Sequence, residues 1–305
     1  MTTAIVFPGQ GSQYVGMGKD LYEKHSQAKE MFDAADTIVG YALSRICFEG
    51  PEETLRQTKH TQPAIFLHSI VLSKFLTHIP AIMTGGHSVG EYAALVYAGV
   101  LSFEDGLKLV QLRGELMQCA GELHRGTMAA IVGLDEALVE QVCSDSNDVG
   151  IVQCANYNSQ GQVVISGSVD GVKKAMSIAK ERGAKLVKEL VVSGAFHSPL
   201  MQPAYDGLHN ALAEIKFADA KIPVYANVTA QPVTKADEIR LLLEKQILAP
   251  VRWEESVRNM GNDGATHFVE VGPGKVLQGL IKRIKTDAQT FGVDKEQDIQ
   301  GLQII

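Results

Sequence analysis

Short, unbroken apolar runs alternate along this chain with longer stretches in which apolar residues recur every three or four positions. Ala4-Ile5-Val6-Phe7 and Ala81-Ile82-Met83-Thr84 are runs of the first kind and predict buried strands. Stretches of the second kind cover about residues 19–39, 61–78 and 103–123 and predict helices. Buried strands separated by helices indicate a parallel sheet of α/β type.

The pattern changes after Arg125. Thr127-Met128-Ala129-Ala130-Ile131-Val132 reads as a strand, residues 135–143 as a helix, residues 151–155 and 162–166 as two strands, residues 170–182 as a helix and residues 185–192 as a last strand. The order β-α-β-β-α-β is that of a ferredoxin-like unit. The expected layout is therefore an α/β body made of residues 1–124 and 194–305, interrupted by a small α+β domain at residues 125–193. The body resumes with a helix after Pro199, and strands at residues 223–226 and 266–271 complete its sheet.

Composition narrows the function classes. With 305 residues, 45% of them hydrophobic and 21% charged, the chain is long enough to bury a sizeable core in one or two domains. A net charge of −7 argues against a nucleic-acid partner, whose phosphates demand clustered cations. Cys47, Cys119, Cys143 and Cys154 show no metal or redox spacing, so no metal site and a reducing, cytoplasmic setting are expected. The chain opens on Met1-Thr2-Thr3 and enters a strand without a basic or cleavable apolar segment, and no apolar run reaches the roughly 18 residues that span a membrane. A soluble monomer is expected.

The candidate chemistry begins at Gly86-His87-Ser88-Val89-Gly90, a G-x-S-x-G pattern between a predicted strand and a helix rich in small residues. In that setting the serine projects from a tight turn and the following helix aims its N-terminal amides, that of Val89 included, at the site. The pentapeptide alone leaves nucleophile and structural turn both open. A nucleophilic serine needs a base. Among nine histidines, His25, His78, His124 and His209 lie in or beside helices and read as solvated, while His87 should point away along the turn. His197, in Ser193-Gly194-Ala195-Phe196-His197-Ser198-Pro199, falls at a strand-to-helix junction where α/β sheets hold their sites; a hydrogen-bonded junction histidine is the competing reading. Pro8-Gly9-Gln10-Gly11-Ser12-Gln13 also follows a strand and could supply a second oxyanion donor. It is no dinucleotide fingerprint, since Tyr14 replaces the third glycine. Arg113 sits in an otherwise apolar helix, either as a surface cation or glutamate partner, or buried and in need of a carboxylate.

These stretches, with Thr61-Gln62-Pro63-Ala64, Asn156-Tyr157-Asn158 and Val271-Gly272-Pro273-Gly274-Lys275, resemble the malonyl-CoA:acyl-carrier-protein transacylase family of fatty-acid synthesis and the related acyltransferase domains of polyketide synthases. The match runs through nearly the whole chain in the family's order. It implies a hydrolase-like α/β body with an inserted ferredoxin-like domain. It also implies that Ser88 carries the acyl group, that His197 acts as base and then acid, and that Arg113 holds the malonyl carboxylate. The backbone amides of Gln10 and Val89 would form the oxyanion hole, and Gln62, Asn156 and Phe196 would line the pocket. The family orients its histidine by a main-chain carbonyl near a glutamine instead of an aspartate; Gln246 occupies that motif here, with Ala249 where the family often has Asn or Ser before the proline.

No bound cofactor is implied, only malonyl-CoA and the phosphopantetheine thiol of acyl carrier protein as substrates of a double displacement. Phe196 and Val89 resemble the malonyl-selective pattern of the family. An acidic carrier needs a basic surface, for which Lys173, Lys174, Lys180, Arg182, Lys185 and Lys188 are candidates, although a solvated helix face would look the same. A trans-acting acyltransferase of a polyketide assembly line would share this active site. A serine hydrolase or thioesterase would explain Ser88 and His197 but not Arg113 or the inserted domain.

Overall fold

The structure, a computed structural model, describes residues 2–301; the outer limits expected for the body, residues 1 and 305, lie outside them. Ten strands occur among these residues: β1 (Thr3–Phe7), β2 (Ala81–Gly86), β3 (Gly126–Val132), β4 (Val152–Ser159), β5 (Gln162–Ser168), β6 (Leu186–Glu189), β7 (Val224–Tyr225), β8 (Pro232–Val233), β9 (His267–Val271) and β10 (Gln289–Val293). They form two sheets, one of six strands in the order β10-β9-β1-β2-β7-β8 and one of four in the order β4-β5-β3-β6. The large sheet is parallel except for β8, which returns antiparallel to β7. The small one is antiparallel throughout.

Every residue of β1 and β9 is buried, because helices cover both faces of a parallel sheet and leave no wet side. The helix Thr58–Ser73 is apolar nearly all round and buried from Thr61 onward, so it runs inside the body, packed along the long helix Phe103–Leu123. The small sheet carries the helices Glu136–Ser144 and Val169–Glu181 over a core of its own, built on Ala129, Ile131, Val163, Ile165, Val172 and Ala175. Asp135 and Ser168 cap these two helices through the amides of Leu138 and Gly171, as short polar side chains do at a helix start.

Several elements differ from the sequence expectation. The predicted helix over residues 19–39 is two helices, Lys19–Lys24 and Ser26–Val39, broken where His25 turns extended at φ −126°. The helix expected to reach residue 78 ends at Ser73. The body gains β8 and β10, too short or too exposed to read from alternation.

Two features of this fold place the site. β1 and β2 are neighbouring parallel strands, so the turns leaving their C-terminal ends lie side by side, where ligands of open α/β sheets bind. β4 is also tied to the body: the Tyr157 N–H donates to Val251 O at 2.9 Å and the Val251 N–H to Ala155 O at 2.8 Å. That ladder closes the small sheet over the same edge.

Candidate active site

Ser88 stands two residues beyond the end of β2 with φ +52°, a left-handed backbone that costs a non-glycine residue energy and projects its side chain out of the turn. The flanking glycines make the turn possible by close approach. A Cβ on Gly86 would sit 2.0 Å from the Gly90 carbonyl carbon, and one on Gly90 would sit 2.2 Å from Phe7 O. Both main-chain groups of Ser88 are gripped by side-chain amides. Its N–H donates to Asn227 Oδ1 at 2.7 Å and its C=O accepts from Gln246 Nε2 at 3.0 Å. Held in this way, the hydroxyl lies 2.8 Å from His197 Nε2.

His197 is itself strained, at φ +56°, and 2% exposed. Its Nδ1 lies 2.9 Å from Gln246 O and 3.1 Å from Ala249 O. Carbonyls only accept, so Nδ1 carries the proton and Nε2 is left as a free base facing the serine. Burial, helped by the nearby Arg113 cation, pulls the imidazole down to about 3, so it is neutral at physiological pH. Among the described residues no carboxylate takes part in this arrangement. Gln153 Nε2 adds a brace by donating to His197 O at 2.8 Å and Leu248 O at 3.2 Å.

Arg113 comes from the buried side of the helix Phe103–Leu123 and is 1% exposed. Its guanidinium donates to Gln62 Oε1 at 2.6 Å, Gln246 Oε1 at 3.0 Å and Ser88 Oγ at 3.1 Å, and lies over the Tyr92 ring at 5.6 Å. Its Nε has no partner, and no carboxylate forms an ion pair with it among the described residues. Burial lowers its proton affinity, yet a guanidinium keeps its charge. A buried cation satisfied only by amides and a hydroxyl is poised for an anion.

Gln10, Gln62, Ser88, Val89, Arg113, Asn156, Phe196 and His197 line one cavity of about 120 Å³ together with His87, Met117, Met128, Leu190 and Val192. Gln246 meets it through Arg113 and His197. Every sequence-derived site residue is thus brought to one place. His87 turns its Nε2 onto Asn158 Oδ1 at 2.9 Å, away from the serine hydroxyl, but still forms part of the wall. A larger cleft of about 720 Å³ shares Gln10, Leu190 and Val192 with the inner cavity and lies between the body and the segment 190–193 that follows β6. Space for a small acyl group lies inside, and room for a long flexible arm lies outside it.

Sequence reasoning missed Glu91, Asn227 and Gln153. Glu91 ends the very motif that flagged Ser88, and its 2% exposure marks it as a buried carboxyl. Of the six cations proposed for a carrier surface, Lys174 pairs with Asp148 at 2.6 Å and Arg182 pairs with Asp145. Lys173, Lys180, Lys185 and Lys188 are exposed. Among the described residues no cluster of three or more metal-ligating side chains forms, and no helix is long and apolar enough to cross a membrane.

Comparison with known proteins gives full-length matches. The acyl transferase domain family matches residues 4–298. A malonyl CoA-acyl carrier protein transacylase of Bacillus subtilis (strain 168) is 46% identical over 300 residues, covering 97% of this chain and 95% of that protein. The crystal structure of an acyl carrier protein S-malonyltransferase from Vibrio cholerae superimposes with a TM-score of 0.95 at 41% identity, covering 99% of this chain and 100% of the other. A malonyl-transacylase in complex with its type II PKS acyl-carrier protein superimposes with a TM-score of 0.95 at 38% identity, covering 98% of each chain.

Proposed function

The chain belongs to the malonyl CoA-acyl carrier protein transacylase family, and from that premise we propose the residue-level course of its reaction: transfer of malonyl from malonyl-CoA to the phosphopantetheine thiol of acyl carrier protein through a malonyl-Ser88 ester. His197 Nε2 takes the Ser88 proton as Oγ attacks the thioester carbonyl. The oxyanion forms against the N–H groups of Gln10 and Val89, neither of which donates to another described residue; one such donor is worth about 3–4 kcal/mol of barrier. Collapse breaks the C–S bond, and the departing coenzyme A sulfur takes the proton from His197. The carrier's thiol then gives its proton to His197 and attacks the ester, and the same proton returns to Ser88 Oγ. Two half-reactions through one covalent intermediate predict ping-pong kinetics.

The observation that carries this reading is the buried Arg113 reaching to 3.1 Å from the Ser88 hydroxyl with no carboxylate among the described residues to pair with. A hydrolase of neutral esters has no use for such a cation. A malonyl carboxylate satisfies it, whereas an acetyl group leaves it unpaired at a cost of several kcal/mol. Gln62 and Asn156 supply polar wall, and Phe196 supplies the apolar crowding against a branched acyl group. Replacing Arg113 with Ala should lower kcat/KM for malonyl-CoA at least about 100-fold while leaving acetyl-CoA equal or better. Equal losses on both substrates would remove Arg113 from the role.

The same proposal divides the chain into a body (1–124 and 194–305) and an inserted domain (125–193), supported by two separate sheets and by a core made of inserted-domain residues alone, while Met128, Ala155 and Val164 of that domain pack into the body's core. It assigns carrier docking to the exposed Lys173, Lys180, Lys185 and Lys188. It also holds the enzyme to be cytoplasmic, monomeric and free of bound cofactor; the four unpaired cysteines suit a reducing compartment. The active site would equally serve a polyketide carrier, the partner of one structural relative. Parallel transfer assays to fatty-acid and polyketide carriers separate the two.

A further inference from the structure

Behind the nucleophile lies a buried carboxyl that the reaction above does not use. Glu91 Oε2 accepts from Gln246 Nε2 at 2.7 Å and from the Asn227 main-chain N–H at 3.1 Å. These two residues hold the two sides of the Ser88 backbone, Asn227 the N–H and Gln246 the C=O. Asn227 Nδ2 also donates to Gly86 O at 2.6 Å, fixing which way its amide faces. Gln246 is constrained from both ends. Its Nε2 points to Glu91 and its Oε1 accepts from Arg113 at 3.0 Å. A primary amide can be placed either way round. Two acceptors, the Ser88 C=O at 3.0 Å and the Glu91 carboxylate at 2.7 Å, draw the NH₂ end to one side and so turn the C=O end toward the guanidinium; the carboxylate is the charged and closer of the two.

We propose that Glu91 is a positioning residue for malonyl transfer, whose carboxylate orients Asn227 and Gln246 so that one grip holds the strained Ser88 turn and the other aims Arg113 at the acyl pocket. The inference rests on the acyl-serine reaction proposed above and adds the element that sets its geometry. Glu91 touches neither substrate nor the reacting atoms. Its charge acts one amide away from Arg113, which leaves the cation free for the substrate carboxylate instead of consuming it in a direct ion pair. The charged and titratable groups that face it are Arg113, from the helix Phe103–Leu123, and Tyr92 beside it on its own helix; the segments carrying Asn227 and Gln246 present neutral amides. Burial raises the Glu91 carboxyl to about 7, against the lowering effect of Gln246, Asn227 and Arg113. The oriented state therefore gives way as the carboxylate gains a proton below neutrality.

The test compares wild type with Glu91→Gln, which keeps the volume and loses the charge. Ser88 is titrated by intact mass after long exposure to malonyl-CoA, so that rates are counted per competent serine and a misfolded fraction drops out. Per titrated serine, the variant should acylate about 10- to 100-fold more slowly with malonyl-CoA. Its malonyl-over-acetyl preference should fall, because Arg113 loses its aim. The wild-type rate should rise with pH through about 7, and the variant's rate should be flat from about pH 6 to about pH 8. If wild type acylates and the variant matches it in rate, preference and pH profile, or loses only titratable serine, this inference is overturned alone. If wild type takes up no malonyl group, the proposed reaction falls and this inference falls with it.

Discussion

His197 shows what burial does to a single residue. Its ordinary pKa is about 6.5, while burial and Arg113 hold it near 3 in the folded chain. Between those values the unfolded chain takes up a proton that the folded chain refuses. The stability that depends on neutral His197 is therefore complete above about pH 6.5 and lost as pH falls toward 3. A His197→Gln variant should lack this part of the acid limb, so wild type and variant should converge or cross on acidification in chemical denaturation at a series of pH values. Parallel limbs would show that the histidine is not held neutral. The residues proposed to carry the chemistry were legible in the sequence because each is an unusual type at a strand end or inside an apolar helix: Ser88 between glycines, His197 two residues before a proline, Arg113 among leucines. Glu91, Asn227 and Gln153 were not. Their roles depend on which buried amide meets which oxygen across 44 to 139 positions of chain, and no local pattern encodes that pairing.

At the scale of elements, the decisive unit is the strand–turn–helix around Ser88. β2 runs to Gly86, two residues beyond the expected strand, because Gly85 and Gly86 still pair with Val6 and Phe7 of β1. This continuation delivers the serine to the sheet edge beside the turn that holds Gln10. Gly86→Ala would drive a methyl to 2.0 Å from the Gly90 carbonyl carbon, a backbone clash that no rotamer relieves. The expected cost is about 3 kcal/mol or more, read as a lower denaturation midpoint, together with loss of Ser88 acylation in whatever fraction folds. An unchanged midpoint would show that the turn has slack. β6 departs from expectation in a way that serves the site. The strand ends at Glu189 instead of continuing to residue 192; one last bond, from the Leu190 N–H to Met128 O at 2.9 Å, follows it, and Leu190 and Val192 form the wall shared by the inner cavity and the outer cleft. Apolar alternation marked residues 185–192 as a strand but could not say where its ladder ends. β10 was missed for the opposite reason, since its half-exposed residues show no core-facing pattern.

For the whole molecule, the α/β body and the inserted β-α-β-β-α-β unit were legible because hydrophobic periodicity switches at Arg125 and switches back near Ser193. The way the two sheets meet was not legible, because it rests on the ladder between β4 and Val251 and on Gln153 reaching His197 O. The proposed reaction has a carrier deliver its arm through the outer cleft, and the cations proposed to receive that carrier, Lys173, Lys180, Lys185 and Lys188, are exposed on the small domain. Reversing all four to Glu should raise KM for carrier protein about tenfold or more at low salt, with an effect that shrinks as salt rises. The coenzyme A half-reaction should be untouched. Equal changes in both half-reactions would place carrier docking elsewhere.

The central claim is that Ser88 carries a malonyl group destined for a thiol. It is tested most directly by mixing the enzyme with malonyl-CoA, removing free substrate, and following intact mass after adding either holo acyl carrier protein or buffer alone. The account predicts a malonyl adduct on Ser88, absent in Ser88→Ala, that discharges rapidly to the carrier and persists in water. An adduct that water clears as fast as the carrier does would contradict it, as would an adduct on any other residue.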